Sequence, residues 1–253
     1  MRAVFRTDKG KIRQRNEDNG GIFTNSAGDH LAIVADGMGG HNAGDVASKI
    51  TVDLMYKNWT QAPKMTSAEM VEKYLHEIVT EINQSLFEHA NNNIECEGMG
   101  TTLVAAAYTD DFVTIANIGD SRCYLFNEDG FKQITEDHSY VNELVKTGII
   151  SKEDAEHHPR KNVVLKALGT EQSIEADVKT IIIEEGDYLL LCSDGLSDKL
   201  TEDQIKEILE NENNIEEKAQ ILIDMANDHG GEDNITLVII EVSSSDEGGC
   251  NEC

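Results

Sequence analysis

Four aspartates stand where an apolar run meets a small or turn-forming residue: Asp36 after "HLAIVA", Asp120 after "FVTIANIG", Asp194 after "YLLLCS" and Asp233 before "NITLVII". Carboxylates are hard oxygen donors, and such a set without a matching group of thiolates or imidazoles suits Mg²⁺ or Mn²⁺ better than zinc. Asp-Gly is also a hairpin-turn signal, and Asp129-Gly130, between "CYLFNE" and "FKQIT", is read as a turn and nothing more. Asp36-Gly37 and Asp194-Gly195 sit in "VADG" and "CSDG", which resemble each other and lead toward a helix or loop. Pattern alone leaves a shared metal site and turn chemistry both open. His157 and His158 are adjacent, point apart on any regular element, and are read as surface residues.

The stretch "DGMGGHNAGDV" tests another use of glycine. Gly39 and Gly44 have the spacing of a phosphate-cradling P-loop, but Asp45-Val46 follow where that loop needs a lysine and a hydroxyl. A dinucleotide fingerprint would need glycine at Asn42. Asp36 and Asp45 put negative charge on both flanks, so phosphate is admitted only with a divalent cation between. In "GKIRQRNED", Arg13 offers a fork for phosphate oxygens, with Glu17 and Asp18 close by; alone, this stretch reads equally as an exposed salt-bridged turn.

These residues need a scaffold, and the hydrophobic periodicity supplies one. Strand patterns fall at 21–24, 31–35, 101–108, 112–117, 122–126, 131–134, 177–183, 188–192 and 235–242. Helical spacing joins Val46, Ile50 and Leu54, then Val71, Leu75, Ile78, Ile82 and Leu86. Thr201-Glu202-Asp203-Gln204 is a capping box ahead of Ile205 and Leu209, and Ala219, Leu222, Ile223 and Ala226 repeat the stripe. Strands follow one another through short turns, which predicts an α+β fold of antiparallel sheets with helices outside. Residues 137–169 are poorer in apolar residues and read as a helical insertion or flap; "SSSDEGGCNEC", 243–253, reads as a flexible tail.

At 253 residues one domain is expected. With 21 basic against 48 acidic residues, the formal charge of −27 repels nucleic acid and anionic lipid. No run approaches the ~20 apolar residues of a membrane span, and no signal-peptide core is present, so the expectation is a cytoplasmic protein. Cys96, Cys123 and Cys192 lie far apart, and the Cys250 and Cys253 pair has no second pair to complete a zinc site; a disulfide scaffold is not expected.

In order, "RQRNED", "VADGMGGHNAGDVAS", "GMGTTL", "ANIGDSR", "LCSDGL" and "GGEDNITLVII" resemble the metal-dependent serine/threonine protein phosphatases, the PPM or phosphatase 2C family, in their compact bacterial form. The resemblance runs from residue 1 to about 242 and implies an α-β-β-α sandwich of two antiparallel sheets flanked by helices. It implies that Asp36 bridges two cations, that the Gly37 carbonyl binds one, and that Asp194 and Asp233 complete the pair. Asp120 with Asp194 matches a third-cation position, giving two to three Mn²⁺ or Mg²⁺ ions. Glu17, Asp18 and Asn234 would act from just behind, and Arg13 would bind phosphate. The implied reaction is hydrolysis of phosphoserine and phosphothreonine by cation-activated water, in a monomer opposing a bacterial serine/threonine kinase and its targets.

One position departs from the pattern. Animal members carry histidine directly after Asp-Gly as general acid, where this chain has Met38; His41 is a candidate substitute, as is water. Two competing readings share the fold: a catalytically silent phosphatase-like binding module, and a dedicated anti-sigma-antagonist phosphatase. The intact set of Arg13, Asp36, Asp120, Asp194 and Asp233 argues against the first, and Arg13 with "NED" argues against the second.

Overall fold

A computed structural model describes residues 1–39, 43–109 and 112–243. Strands β1 (Arg2–Asp8), β2 (Asp18–Thr24) and β3 (His30–Met38) precede the helices α1 (Gly44–Thr60) and α2 (Ala68–Asn92). Then follow β4 (Gly100–Thr101), β5 (Leu103–Tyr108), β6 (Phe112–Ile118), β7 (Arg122–Asn127) and β8 (Gly130–Gln133). Two short helices, α3 (Tyr140–Lys146) and α4 (Lys152–Glu156), lead to β9 (Asp177–Ile182) and β10 (Tyr188–Cys192). The chain closes with α5 (Asp194–Ser197), α6 (Glu202–Glu210), α7 (Ile215–Asp228) and β11 (Ile235–Glu241).

Two antiparallel sheets result. One runs β1-β11-β10-β7-β8 and the other β2-β3-β5-β6-β9, with β4 pairing the end of β3. Because side chains alternate along a strand, each sheet has two apolar faces to bury. In β3, Leu31, Ile33 and Ala35 pack toward α1 and α2, while Ala32 and Val34 pack toward the opposite sheet. In β11, Ile235, Leu237 and Ile239 join the layer under α6 and α7, while Val238 and Ile240 face inward. The core is therefore three apolar layers, the α-β-β-α sandwich anticipated from the sequence.

The helices form where their patterns place them. The stripe Val71, Leu75, Ile78, Val79, Ile82 and Leu86 is buried along α2, whose N-cap Ser67 accepts a hydrogen bond from the Met70 amide. The capping box Thr201 with Gln204 opens α6. Among the described residues no helix is long and apolar enough to cross a membrane.

Three local expectations change. β1 carried no recognised strand pattern, yet it pairs with β11 along its whole length. Asp36 lies inside β3 rather than at its end, because Gly37 and Met38 continue the strand against β4. The run 101–108 breaks at Thr102, and that residue is diverted to hold Asp36. Residues 137–169 contain α3 and α4 and a return segment whose Val164 bridges Ser139.

Candidate metal centre

The centre begins with register. Asp18 opens β2 directly opposite Asp36 on β3, so two carboxylates face each other across one antiparallel pair. Asp36 shares the inward face of Ala32 and Val34. Its backbone is fixed from the neighbouring strand: the Asp36 amide donates to Thr102 Oγ1 at 2.9 Å, and the Thr102 amide donates to the Asp36 carbonyl at 2.9 Å. Gly37 must be glycine, since a Cβ there would stand 2.1 Å from the Gly44 carbonyl oxygen and 2.5 Å from that of Glu17. Gly37 and Gly44 thus let α1 abut the strand carrying Asp36.

The other carboxylates arrive from turns at the same edge. Asp120 follows Gly119 at the end of β6, Asp194 opens α5 just after β10, and Asp233 immediately precedes β11's approach. The segment carrying Arg13 and Glu17 is clasped by Asn234. Its Oδ1 accepts from the Glu17 amide at 2.7 Å, and its Nδ2 donates to the carbonyls of Lys9 and Arg15, both at 2.9 Å. Arg13 donates through Nη2 to Asp233 at 2.7 Å and through Nε to the Glu232 carbonyl at 3.3 Å.

A cavity of about 290 Å³ opens on this edge, lined by Arg13, Glu17, Asp36, Gly37, Asp120, Asp194, Asp233 and Asn234. Asn162 and Val164 of the 137–169 segment form part of its wall. The sequence candidates therefore converge, with one exception: Asp18 does not line the cavity but sits behind Asp36. Ser193 Oγ donates to Asp18 Oδ2 at 2.8 Å. Met38 lines the cavity where animal relatives have histidine; His41 lies outside the described residues.

Two residues go beyond the sequence reading. Asp198, one helical turn after Asp194, adds its charge to both Asp120 and Asp194. The i, i+4 spacing was the available signal, but it has meaning only once a helix is known to start at Asp194. Lys161, from the 137–169 segment, pairs with Asp198 at 2.8 Å. Arg160 sits over the Tyr140 ring.

Burial and crowding of like charge raise five of the acids here. Burial pushes the Asp18 and Asp120 carboxyls up to about 6, and burial followed by the surrounding aspartates holds Asp36 and Asp194 well above the usual carboxylate range. Glu17 is raised as well, by burial first and then by Asp45 and Asp233 against the opposing pull of Arg13.

The residues fit hard divalent cations. The carboxylate Oδ1 atoms of Asp18, Asp45 and Asp194 are buried with no hydrogen-bond partner among the described residues, and a positive charge would satisfy oxygens so placed. No three acidic, histidine or cysteine side chains among the described residues gather closely enough to hold an ion by themselves. The carboxylates ring the cavity instead, as suits ions that complete their shells with carbonyl oxygen and water.

An edge of paired antiparallel sheets with these donors and a guanidinium at the rim defines a metal-dependent hydrolase of phosphate esters. Residues 10–228 match the family Protein phosphatase 2C. The chain is 49% identical to the serine/threonine phosphatase stp of Listeria innocua, over 95% of this chain and 96% of that one. It superposes on serine/threonine phosphatase Stp1 from Staphylococcus aureus with a TM-score of 0.91, at 41% identity, covering 95% of this chain and 94% of that one. It also superposes on the catalytic domain of the serine/threonine protein phosphatase PstP in complex with two manganese ions, with a TM-score of 0.84, 33% identity and coverage of 96% and 98%. The chain belongs to the protein phosphatase 2C family.

Proposed function

We propose that this protein hydrolyses phosphoserine and phosphothreonine in proteins at a centre of two cations held by Asp36, the Gly37 carbonyl, Asp194 and Asp233, with a third at Asp120 and Asp194. The observation that carries this reading is the convergence of Asp36, Asp120, Asp194 and Asp233 with Arg13 on one cavity. Bound Mn²⁺ or Mg²⁺ would supply a water of lowered pKa and neutralise phosphoryl charge. Arg13, whose fork suits phosphate oxygens, takes and orients the phosphoryl group at the rim. Asp36 and Asp194, deprotonated when cations are present, provide the oxygen donors. Asp18 supports Asp36 from behind and Asn234 holds the Arg13 segment in reach. Residues 1–242 form the catalytic domain, and 137–169 acts as a flap that shapes access for protein substrates, a role supported by Asn162 and Val164 in the cavity wall. Acting as a monomer, it opposes a bacterial serine/threonine kinase and that kinase's targets.

The test is hydrolysis of p-nitrophenyl phosphate and of phosphoserine and phosphothreonine peptides with Mn²⁺, with and without chelator, for the wild type and Asp36→Ala. Metal-dependent turnover lost in the variant supports the reading. Turnover that survives chelation, or that Asp36→Ala leaves intact, overturns it.

A further inference from the structure

We infer that His138 is a positioning residue for Asp120, acting through the backbone of Gly119. The inference rests on the reading of Asp120 as a cation ligand.

One residue takes both backbone groups of another. His138 Nδ1 accepts from the Gly119 amide at 3.1 Å, and the His138 amide donates to the Gly119 carbonyl at 2.9 Å. His138 is 7% exposed, so the Gly119 N–H has no access to a replacement from solvent. Gly119 itself has φ +99°, and a Cβ there would stand 2.6 Å from Thr102 Cγ2. The turn presenting Asp120 is therefore wedged between Thr102, which fixes the Asp36 backbone, and His138.

The role requires a free lone pair on Nδ1 and hence the proton on Nε2. Nε2 makes no hydrogen bond among the described residues, but the Asp177 carboxylate 3.2 Å away at the start of β9 puts negative charge beside it, which favours a proton there. The turn is also joined to the 137–169 segment through backbone: the Leu165 amide donates to the His138 carbonyl at 2.7 Å, and next to it Asn117 Nδ2 donates to the Glu136 carbonyl at 3.1 Å. The imidazole thus holds the Gly119 amide, while the backbone of His138 and the Asn117–Glu136 bond tie the same turn to the flap base. Without it, the Gly119 N–H is buried unpaired, at a cost the turn escapes by shifting Asp120 away from Asp194.

The test is Mn²⁺ binding followed by electron paramagnetic resonance of the free ion, in His138→Ala, His138→Asn, Asp120→Asn and the double variant His138→Ala/Asp120→Asn, with melting of each metal-free protein as a fold control. His138→Ala and Asp120→Asn should each weaken the weakest Mn²⁺ step by about tenfold, the range for residues that orient a ligand. The double variant should be no weaker than Asp120→Asn, and His138→Asn, whose Oδ1 takes the place of Nδ1, should bind as the wild type. Wild-type binding in His138→Ala alongside weakened binding in Asp120→Asn overturns the inference and leaves the Asp120 reading standing. Wild-type binding in Asp120→Asn overturns both. Additive losses in the double variant place His138 outside the Asp120 site and overturn the inference. Should His138→Ala not fold, His138→Gln replaces it: its oxygen lies beyond the Nδ1 position, so binding equal to that of His138→Asn overturns the inference.

Discussion

Ser193 Oγ donates to Asp18 Oδ2 at 2.8 Å, and the same Oγ accepts from the Thr236 amide at 3.0 Å. Asp18 opens β2 in one sheet, whereas Ser193 directly follows β10 of the other, so this hydrogen bond joins the two sheets behind Asp36, a proposed cation ligand. Ser193→Ala removes a donor from a buried acid and an acceptor from a buried amide. The expected loss of stability is about 2–3 kcal/mol. Urea unfolding at unchanged m-value checks it; a midpoint within error of the wild type refutes it.

The raised acids fix how cations and pH act together. Asp18 and Asp120 move from an ordinary 3.8 to about 6 in the fold. Their contribution to stability is fully present below pH 3.8 and is lost as pH rises through about 6, and the raised carboxyls of Asp36 and Asp194 act in the same direction. Cation binding requires the ionised forms, so the gain in melting temperature with saturating Mn²⁺ should grow from about pH 5 to about pH 7. A gain that is flat over this interval, measured against a chelated control, counts against the cation site.

Asn234 makes three side-chain hydrogen bonds among the described residues, one received from the Glu17 amide and two given to the carbonyls of Lys9 and Arg15. It is 3% exposed, so Asn234→Ala strands backbone groups with no replacement. The expected cost is about 3 kcal/mol in stability. Activity should fall with it, because Arg13 and Glu17 lose their fixed approach. Retained kcat/KM would show the segment to be held by other means.

Arg13 and Asp233 are half-exposed, so their ion pair contributes less than about 1 kcal/mol to folding. Arg13→Lys keeps the charge and loses the fork. Melting should be unchanged while KM for p-nitrophenyl phosphate rises about tenfold at similar kcat. An equal fall in kcat with unchanged KM would move Arg13 from binding to the chemical step.

Much of the sandwich could be read in advance, because its strands and helices bury complete periodic faces. Leu31, Ile33 and Ala35 alternate with Ala32 and Val34, and no other element suits that pattern. β1 escaped because "RAVFRTD" holds few apolar residues among Arg2, Arg6, Thr7 and Asp8; it is an edge strand whose pairing with β11 supplies what its own pattern lacks. The cavity carboxylates Asp36, Asp120, Asp194 and Asp233 were legible one by one as breaks in apolar runs, and as a set through the resemblance. Two relationships were not. Asp18 opposite Asp36 depends on strand register, and Asp198 beside Asp194 depends on a four-residue helix, neither of which local composition encodes.

The pairing of β1 with β11, and the clasp of Asn234 on the Lys9–Arg15 stretch, set an order of events during synthesis. Arg13 cannot meet Asp233, nor Asp18 gain the Ser193–Thr236 support, until the chain has been synthesised past residue 236. If Arg13 and Asp233 act as proposed, a chain cut short before Asp233 carries an incomplete site, however well its earlier strands have paired.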